Sequence, residues 1–288
     1  MDIVSQINKK TRYTSTIEVF PYLRDHHFEG KVILPAVETL IALANVVKLN
    51  FPQISINSLL KARFGRFLLI APEKQRLEIL VDIEDAGDDN ITAVLLTSIK
   101  SKKSAISRAL EHARVEFGAA DYAPDPAPPF RFVEKLQGSC ISVPSVTIYR
   151  ELVPFGTAYQ NIIGDLSVSR EGALAYLAGG SGEADENLLG SPFVLDAAMH
   201  AACVWGQRFT DIVPFPVGFE KRVIYQKTKK GGSYLGRIVP VDAKKESLIF
   251  DVWIYNLNGA IFEIIRGMQM RDVTQGRLRP PQWIKADL

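Results

Sequence analysis

The sequence predicts an α+β fold of two similar halves, each a central helix packed on an antiparallel sheet. Three observations carry this. A proline-rich stretch divides the 288 residues, each side holds one strongly helical segment, and the remainder of each side reads as strands and turns.

The divider is residues 118–130, GAADYAPDPAPPF, where Pro124, Pro126, Pro128 and Pro129 forbid a helix and favour a stiff, extended connection. It separates an N-terminal unit, residues 1–117, from a C-terminal unit, residues 131–288. In the first, residues 36–49 place Val37, Leu40, Ile41, Ala44 and Val47 at the spacing of one helix face. Pro35 stands where a helix begins. In the second, Ser191-Pro192 reads as an N-cap followed by proline in the first turn, and the helix is predicted to stop near Gly206. Strands are predicted over residues 66–70, 76–83, 91–98, 106–117, 247–257 and 260–271, from their content of β-forming residues and the turns between them. Residues 100–104, polar throughout, form a longer hairpin connection. Asn258-Gly259 marks a two-residue hairpin turn with positive φ at both positions.

Formal net charge is +2, from 34 basic and 32 acidic side chains, which gives no reason to expect a nucleic-acid binder. Lys227, Lys229 and Lys230 beside Gly231-Gly232 read as a solvated loop tip. Cys140 and Cys203 show neither metal-ligand spacing nor a disulfide framework. The start, MDIVSQINKKTRY, has no apolar run after its charges, and no stretch has the length of a membrane span. The expectation is a soluble, cytoplasmic protein with reduced thiols.

Of four histidines, His112 is flanked by charged residues in a strand-like segment and is predicted to be exposed. His26 and His27 precede Gly30, Pro35 and the first helix. A histidine there can be held rigidly beside free backbone N–H groups, and helix starts attract developing negative charge; a surface or core hydrogen-bonding histidine is the alternative from this segment alone. On the second helix Asp196 and His200, four residues apart, share one face within hydrogen-bonding reach. Their neighbours, Phe193 to Ala198 and Met199 to Cys203, are almost entirely apolar. A carboxyl there is costly to bury ionised, which favours the neutral acid, a proton donor. A structural Asp–His pair is the alternative from this segment alone.

Together these segments resemble the dehydratase domains of polyketide synthases, a double hotdog family. His26, Gly30 and Pro35 match the family's HxxxGxxxxP motif, and Asp196 and His200 match DxxxQ/H. The YGPxF signature is matched less well by Phe155, Gly156, Thr157, Ala158 and Tyr159, with phenylalanine for the tyrosine and threonine for the proline. Val213-Pro214-Phe215-Pro216, leading to Phe219, is similar to a further family segment. The likeness runs from about Val19 to Val273, in order across the divider.

The resemblance implies two antiparallel sheets, each wrapped around a central helix. It implies dehydration of a 3-hydroxyacyl thioester, with His26 as base and Asp196 as acid. His200 and Pro35 would support them, and backbone N–H groups around Gly30 would hold the thioester carbonyl. Phe155, Gly156 and Tyr159 would line the substrate tunnel. No metal or organic cofactor is implied. The partner would be an acyl carrier protein bearing the substrate on phosphopantetheine, docked on exposed cations such as Lys221, Arg222, Arg277 or Arg279. A homodimer is compatible with this. Related domains use similar dyads for product-template cyclisation or double-bond isomerisation, and a non-catalytic acyl-binding double hotdog is a further alternative. The ends fit either a free-standing protein or a domain of a larger synthase, and the sequence leaves chain length and stereochemistry open.

Overall fold

A computed structural model describes residues 10–87, 90–100, 107–118, 127–181, 187–244 and 247–286. Most of the proline-rich divider and of the polar stretch after Lys100 therefore lies outside the described residues. The first half contains β1 (Thr11–Glu18), a short hairpin of β2 (His27–Phe28) and β3 (Lys31–Val32), helix α1 (Ala36–Asn50), β4 (Ser58–Phe64), β5 (Arg76–Gly87), β6 (Asn90–Lys100) and β7 (Ser107–Phe117). The second contains β8 (Ile141–Pro144), β9 (Ile162–Ser169), β10 (Gly172–Ala178), helix α2 (Pro192–Phe209), β11 (Phe215–Ile224), β12 (Ser233–Lys244), β13 (Ser247–Asn256) and β14 (Ile261–Arg271).

The two expected sheets are joined into one. Twelve strands run antiparallel in the order β1-β5-β6-β7-β4-β11-β14-β13-β12-β10-β9-β8, the two halves meeting where β4 pairs with β11. The seam is in register from Ser58 opposite Val223 to Arg63 opposite Gly218. Joining the halves this way satisfies two edges that would otherwise expose unpaired backbone groups. The apolar faces of both helices and of the shared sheet then form one continuous core. Helix α2 is buried along almost its whole length, which explains why its sequence is apolar all round instead of amphipathic.

Both helices begin as expected. The Ser191 side chain accepts a hydrogen bond from the Phe193 N–H, with Pro192 next in line. Pro35 is the residue ahead of α1. Three details differ from the sequence reading. First, α2 continues through Gly206 to Phe209. A Cβ at Gly206 would lie 2.6 Å from Pro214 Cγ and 2.8 Å from Leu248 Cδ1, so this glycine serves close packing and not a helix stop. Second, residues 66–70 form no sheet strand. They run beside the β2–β3 hairpin, touching it through one bridge between Ile33 and Leu69 and the bonds Leu34 N–H to Leu68 O and Ile70 N–H to Val32 O. Third, the β13–β14 turn is wider than expected. Only Gly259 has positive φ (+86°), and the Asn256 side chain accepts from the Asn258 and Ala260 N–H groups.

Gly206→Ala should therefore lower stability by roughly 1–3 kcal/mol through overpacking against the Pro214 ring. Urea unfolding measures this, and an unchanged midpoint would contradict the packing role.

Candidate active site

The tight two-residue turn with both φ values positive lies in the histidine loop: Glu29 (φ +48°) and Gly30 (φ +74°) join β2 to β3. Gly30 is exposed, and a Cβ there would meet nothing within 4 Å. Its need for glycine comes from the turn and not from crowding. The hairpin folds Ile33 back onto His26. The Ile33 N–H bonds the His26 carbonyl at 3.0 Å, and the Ile33 carbonyl lies 3.1 Å from His26 Nδ1. A carbonyl only accepts, so Nδ1 carries the proton and Nε2 holds a lone pair. His26 is buried, with Phe155 stacked on its ring at 4.3 Å and Tyr159 edge-on at 5.0 Å. Burial pushes its pKa down to about 4, although Asp196 pulls the other way. At neutral pH it is an uncharged imidazole with a free lone pair.

Asp196, Met199, His200 and Cys203 occupy positions i, i+3, i+4 and i+7 of α2, one stripe facing the same cavity as His26. His200 Nε2 lies 2.9 Å from Asp196 Oδ2, a short contact that is not aligned as a hydrogen bond. On its other side His200 Nδ1 lies 3.5 Å from the Tyr149 hydroxyl, which also accepts the Ile162 N–H at 2.9 Å. Accepting that N–H leaves the hydroxyl proton available to the Nδ1 side of His200. Tyr149 lies in an irregular helical turn, and nothing in its sequence context marks it.

The contact between halves at this point rests on Asp25. Its carboxylate accepts from the Ala158 N–H at 2.8 Å and the Thr157 hydroxyl at 3.3 Å, and its carbonyl accepts from the Gly156 N–H at 2.8 Å. A Cβ at Gly156 would sit 2.4 Å from Asp25 Cγ. This grip lays Phe155 across both His26 and, at 5.1 Å, His200.

The cavity has a volume of about 640 Å³ and is lined from both halves, by His26, Phe155, Asp196 and His200 among others. Ala36 and Thr39 of α1 and Gly30 of the hairpin also lie on its wall. Gly156 and Tyr159, expected in the tunnel lining, lie behind that wall. Gly156 backs onto Asp25, and Tyr159 is fully buried against His26, Phe193 and Tyr22. Pro35 is buried at the start of α1, which it fixes beside the cavity. His112, expected on the surface, is buried and lines the cavity. Strand β7 shifts register on β6 there, Leu95 facing Ala113 and Leu96 facing Glu111, and the bulge turns His112 inward. Its ring bonds Thr97 Oγ1 at 2.8 Å and the Arg66 carbonyl at 3.4 Å. Glu38, a second buried acid, accepts the Tyr22 hydroxyl at 3.0 Å, and burial pushes it up to about 7. Among the described residues no group of three or more His, Cys, Asp and Glu side chains converges as metal ligands would. Nor, among the described residues, is any helix long and apolar enough to cross a membrane.

Two helix-centred halves fused along one sheet, with a cavity lined from both, define a double hotdog. Residues 142–280 match the family model described as the polyketide synthase dehydratase N-terminal domain. The whole fold is similar to an N-terminal dehydratase from the difficidin assembly line (TM-score 0.72, 14% identity, 93% of this chain and 95% of that one). It is similar also to a trans-AT polyketide synthase dehydratase domain from Brevibacillus brevis (TM-score 0.72, 19% identity, 92% and 94%). A bifunctional dehydratase-cyclase domain in ambruticin biosynthesis gives a TM-score of 0.69 at 17% identity, covering 92% of each chain. At these identities the likeness establishes the fold. No curated protein sequence matches the chain. The family match thus lies in the C-terminal part of the chain, and the likeness to solved dehydratase domains extends the fold over more than nine-tenths of it.

Two outcomes follow from the geometry. Gly156→Ala, by displacing Asp25 and with it Phe155, should lower kcat/KM by about 100-fold, the scale of a 1 Å misplacement. Retained turnover in a folded variant would contradict the role of this contact. The burial of neutral His26 sets a pH dependence. The unfolded chain binds the His26 proton near pH 6.5 and the folded chain only near 4. Stability is therefore complete above about 6.5 and falls as pH drops towards 4, by about 3 kcal/mol. Unfolding of wild type against His26→Gln across this range isolates the effect, because the opposite titration of Glu38 is common to both. Parallel curves would contradict it.

Proposed function

We propose that this chain removes water from a 3-hydroxyacyl thioester carried by an acyl carrier protein in polyketide or fatty-acid-like synthesis. The observation that carries the reading is a neutral imidazole with a free Nε2 lone pair from one half and a carboxyl from the other, on the wall of one largely apolar cavity. Nε2 of His26 takes the C2 proton, and the electron pair left on C2 is held as an enolate. That pair then forms the C2–C3 double bond as the C3–O bond breaks, and Asp196 delivers its proton to the departing hydroxyl, which leaves as water. Backbone N–H groups around Gly30, with those of the first turn of α1, would stabilise the thioester oxygen as charge develops. His200, oriented by Tyr149, positions the Asp196 carboxyl.

Residues 1–117 and 131–288 are, in this reading, two hotdog units joined by 118–130, each supplying half of the dyad. The carrier would meet exposed cations at the cavity opening, in the cytoplasm. Arg222 is not among them: it is buried and ion-paired with Glu263 at 2.8 Å. Arg277 is paired with Glu29, and Arg279 bonds the Asp211 carbonyl.

A panel of 3-hydroxyacyl carrier proteins, read by mass spectrometry for loss of one water, tests the reading. His26→Ala and Asp196→Asn should each cut the rate at least about 100-fold with the fold intact. His200→Ala should cost less. Turnover without loss of water would point to cyclisation or isomerisation on the same dyad. Normal dehydration by either dyad variant would remove the mechanism.

A further inference from the structure

The polar groups on the cavity wall are distributed unevenly. Apart from the His26, Asp196 and His200 centre, each buried polar side chain lining the cavity, among the described residues, already has an internal partner. The Thr39 hydroxyl donates to the Pro35 carbonyl at 3.1 Å. Both His112 ring nitrogens are engaged, by Thr97 and by the Arg66 carbonyl. Cys203 Sγ accepts from Gln207 Nε2, and burial holds the thiol up at about 12. The remaining polar lining residues, His27, Glu29 and Arg66, are exposed at the opening, with Glu29 paired to Arg277. Between opening and centre the wall is hydrocarbon: Leu34, Leu68, Leu152, Met199, Val213 and Met270 are buried and face the cavity. Three rings from three separate segments close one side. Phe28 lies 4.9 Å from Phe215 and 5.6 Å from Phe67, and Phe67 lies 6.3 Å from Phe215.

We infer that the acyl chain this site accepts is unoxygenated beyond C3: a hydrocarbon tail, and neither a polyketone nor a chain bearing further hydroxyls. This rests on reading the cavity as the acyl site, and it narrows the substrate class. A hydroxyl or ketone moved from water onto this wall loses its water partners and gains none, which costs about tenfold or more in affinity for each group. A hydrocarbon tail loses nothing of the kind and gains from burial. The same inventory disfavours cyclisation of a polyketone, which would place several carbonyls on a wall without side-chain donors for them.

The test compares two pairs of compounds on the wild-type protein. The first pair is carrier-bound 3-hydroxyoctanoate and 3,7-dihydroxyoctanoate, followed as loss of water. The second is octanoyl-pantetheine and 7-hydroxyoctanoyl-pantetheine, which have no 3-hydroxyl to eliminate, followed by calorimetry. The expected result is at least a tenfold preference for the hydrocarbon tail in both kcat/KM and Kd. Preference in binding with no elimination from either substrate would sustain the chain class and overturn the dehydratase reading. Elimination with equal rates and equal affinities, or with the hydroxylated tail favoured, would overturn the chain class and leave the dehydratase reading standing.

Discussion

The hold of Asp25 on residues 156–158 is the contact on which the site depends. His26 comes from a loop of the first half and Asp196 from a helix of the second, so their relation is a tertiary fact that no local element dictates. The β4–β11 seam sets the two halves side by side to within the tolerance of a sheet. The finer adjustment occurs next to the chemistry, where the residue preceding His26 bonds the chain on either side of its own reach: Gly156 through its carbonyl, Thr157 and Ala158 through its carboxylate. Phe155 is thereby laid on the imidazole. That ring keeps water from one face of His26, and the lost water is what keeps the imidazole neutral. Position and protonation state thus have a common cause.

The surrounding groups are consistent with this. Burial raises the pKa of Tyr22, Tyr149 and Tyr159 and pushes Glu38 up to about 7. Burying so many ionisable groups near one carboxyl works against stability. The fold tolerates it because two helices and a twelve-stranded sheet share one core, so the apolar burial of the whole chain supports a single polar site. Two separate hotdogs, each with a smaller core, would carry that burden less well.

What the sequence discloses and what it hides divide along physical lines. Helices α1 and α2 were legible because a buried helix needs apolar residues at fixed spacing and a start signal, and Pro35 and Ser191-Pro192 supply the starts. His26, Asp196 and His200 stood out because they sit at motif spacings beside those helices, and the fold brings them to one cavity. His112 was not, because a one-residue bulge in β7 overrides the alternation that places its neighbours Glu111 and Arg114 outward, and charged neighbours then mislead. Residues 66–70 have strand composition, yet their backbone partners are the hairpin at Ile33 and Leu34, a choice made by tertiary packing. Gly206 reads as a stop locally, but Pro214 and Leu248, distant in sequence, are what require it to lack a side chain. Asp25 and Tyr149 act on residues more than fifty or a hundred positions away, or across an irregular turn, and carry no spacing signal at all.

The two-halved architecture also accounts for the proposed base and the proposed acid coming from different halves. A neutral imidazole needs dryness and one acceptor for its proton, which a two-residue hairpin folded over it provides through the Ile33 carbonyl. A carboxyl that is to give up a proton needs a rigid, apolar mount and a neighbour that fixes its direction. Helix α2, buried along almost its whole length, provides the mount for Asp196, with the His200 ring against the carboxyl one turn further on. One kind of element cannot meet both demands. Helix α1 carries none of His26, Asp196 and His200, and in the first half the proposed base stands at the hairpin that precedes that helix. In the second half the polar stripe lies on the helix itself. In the proposed reading the two halves share a helix-on-sheet plan and differ in which part of it carries the reactive side chain.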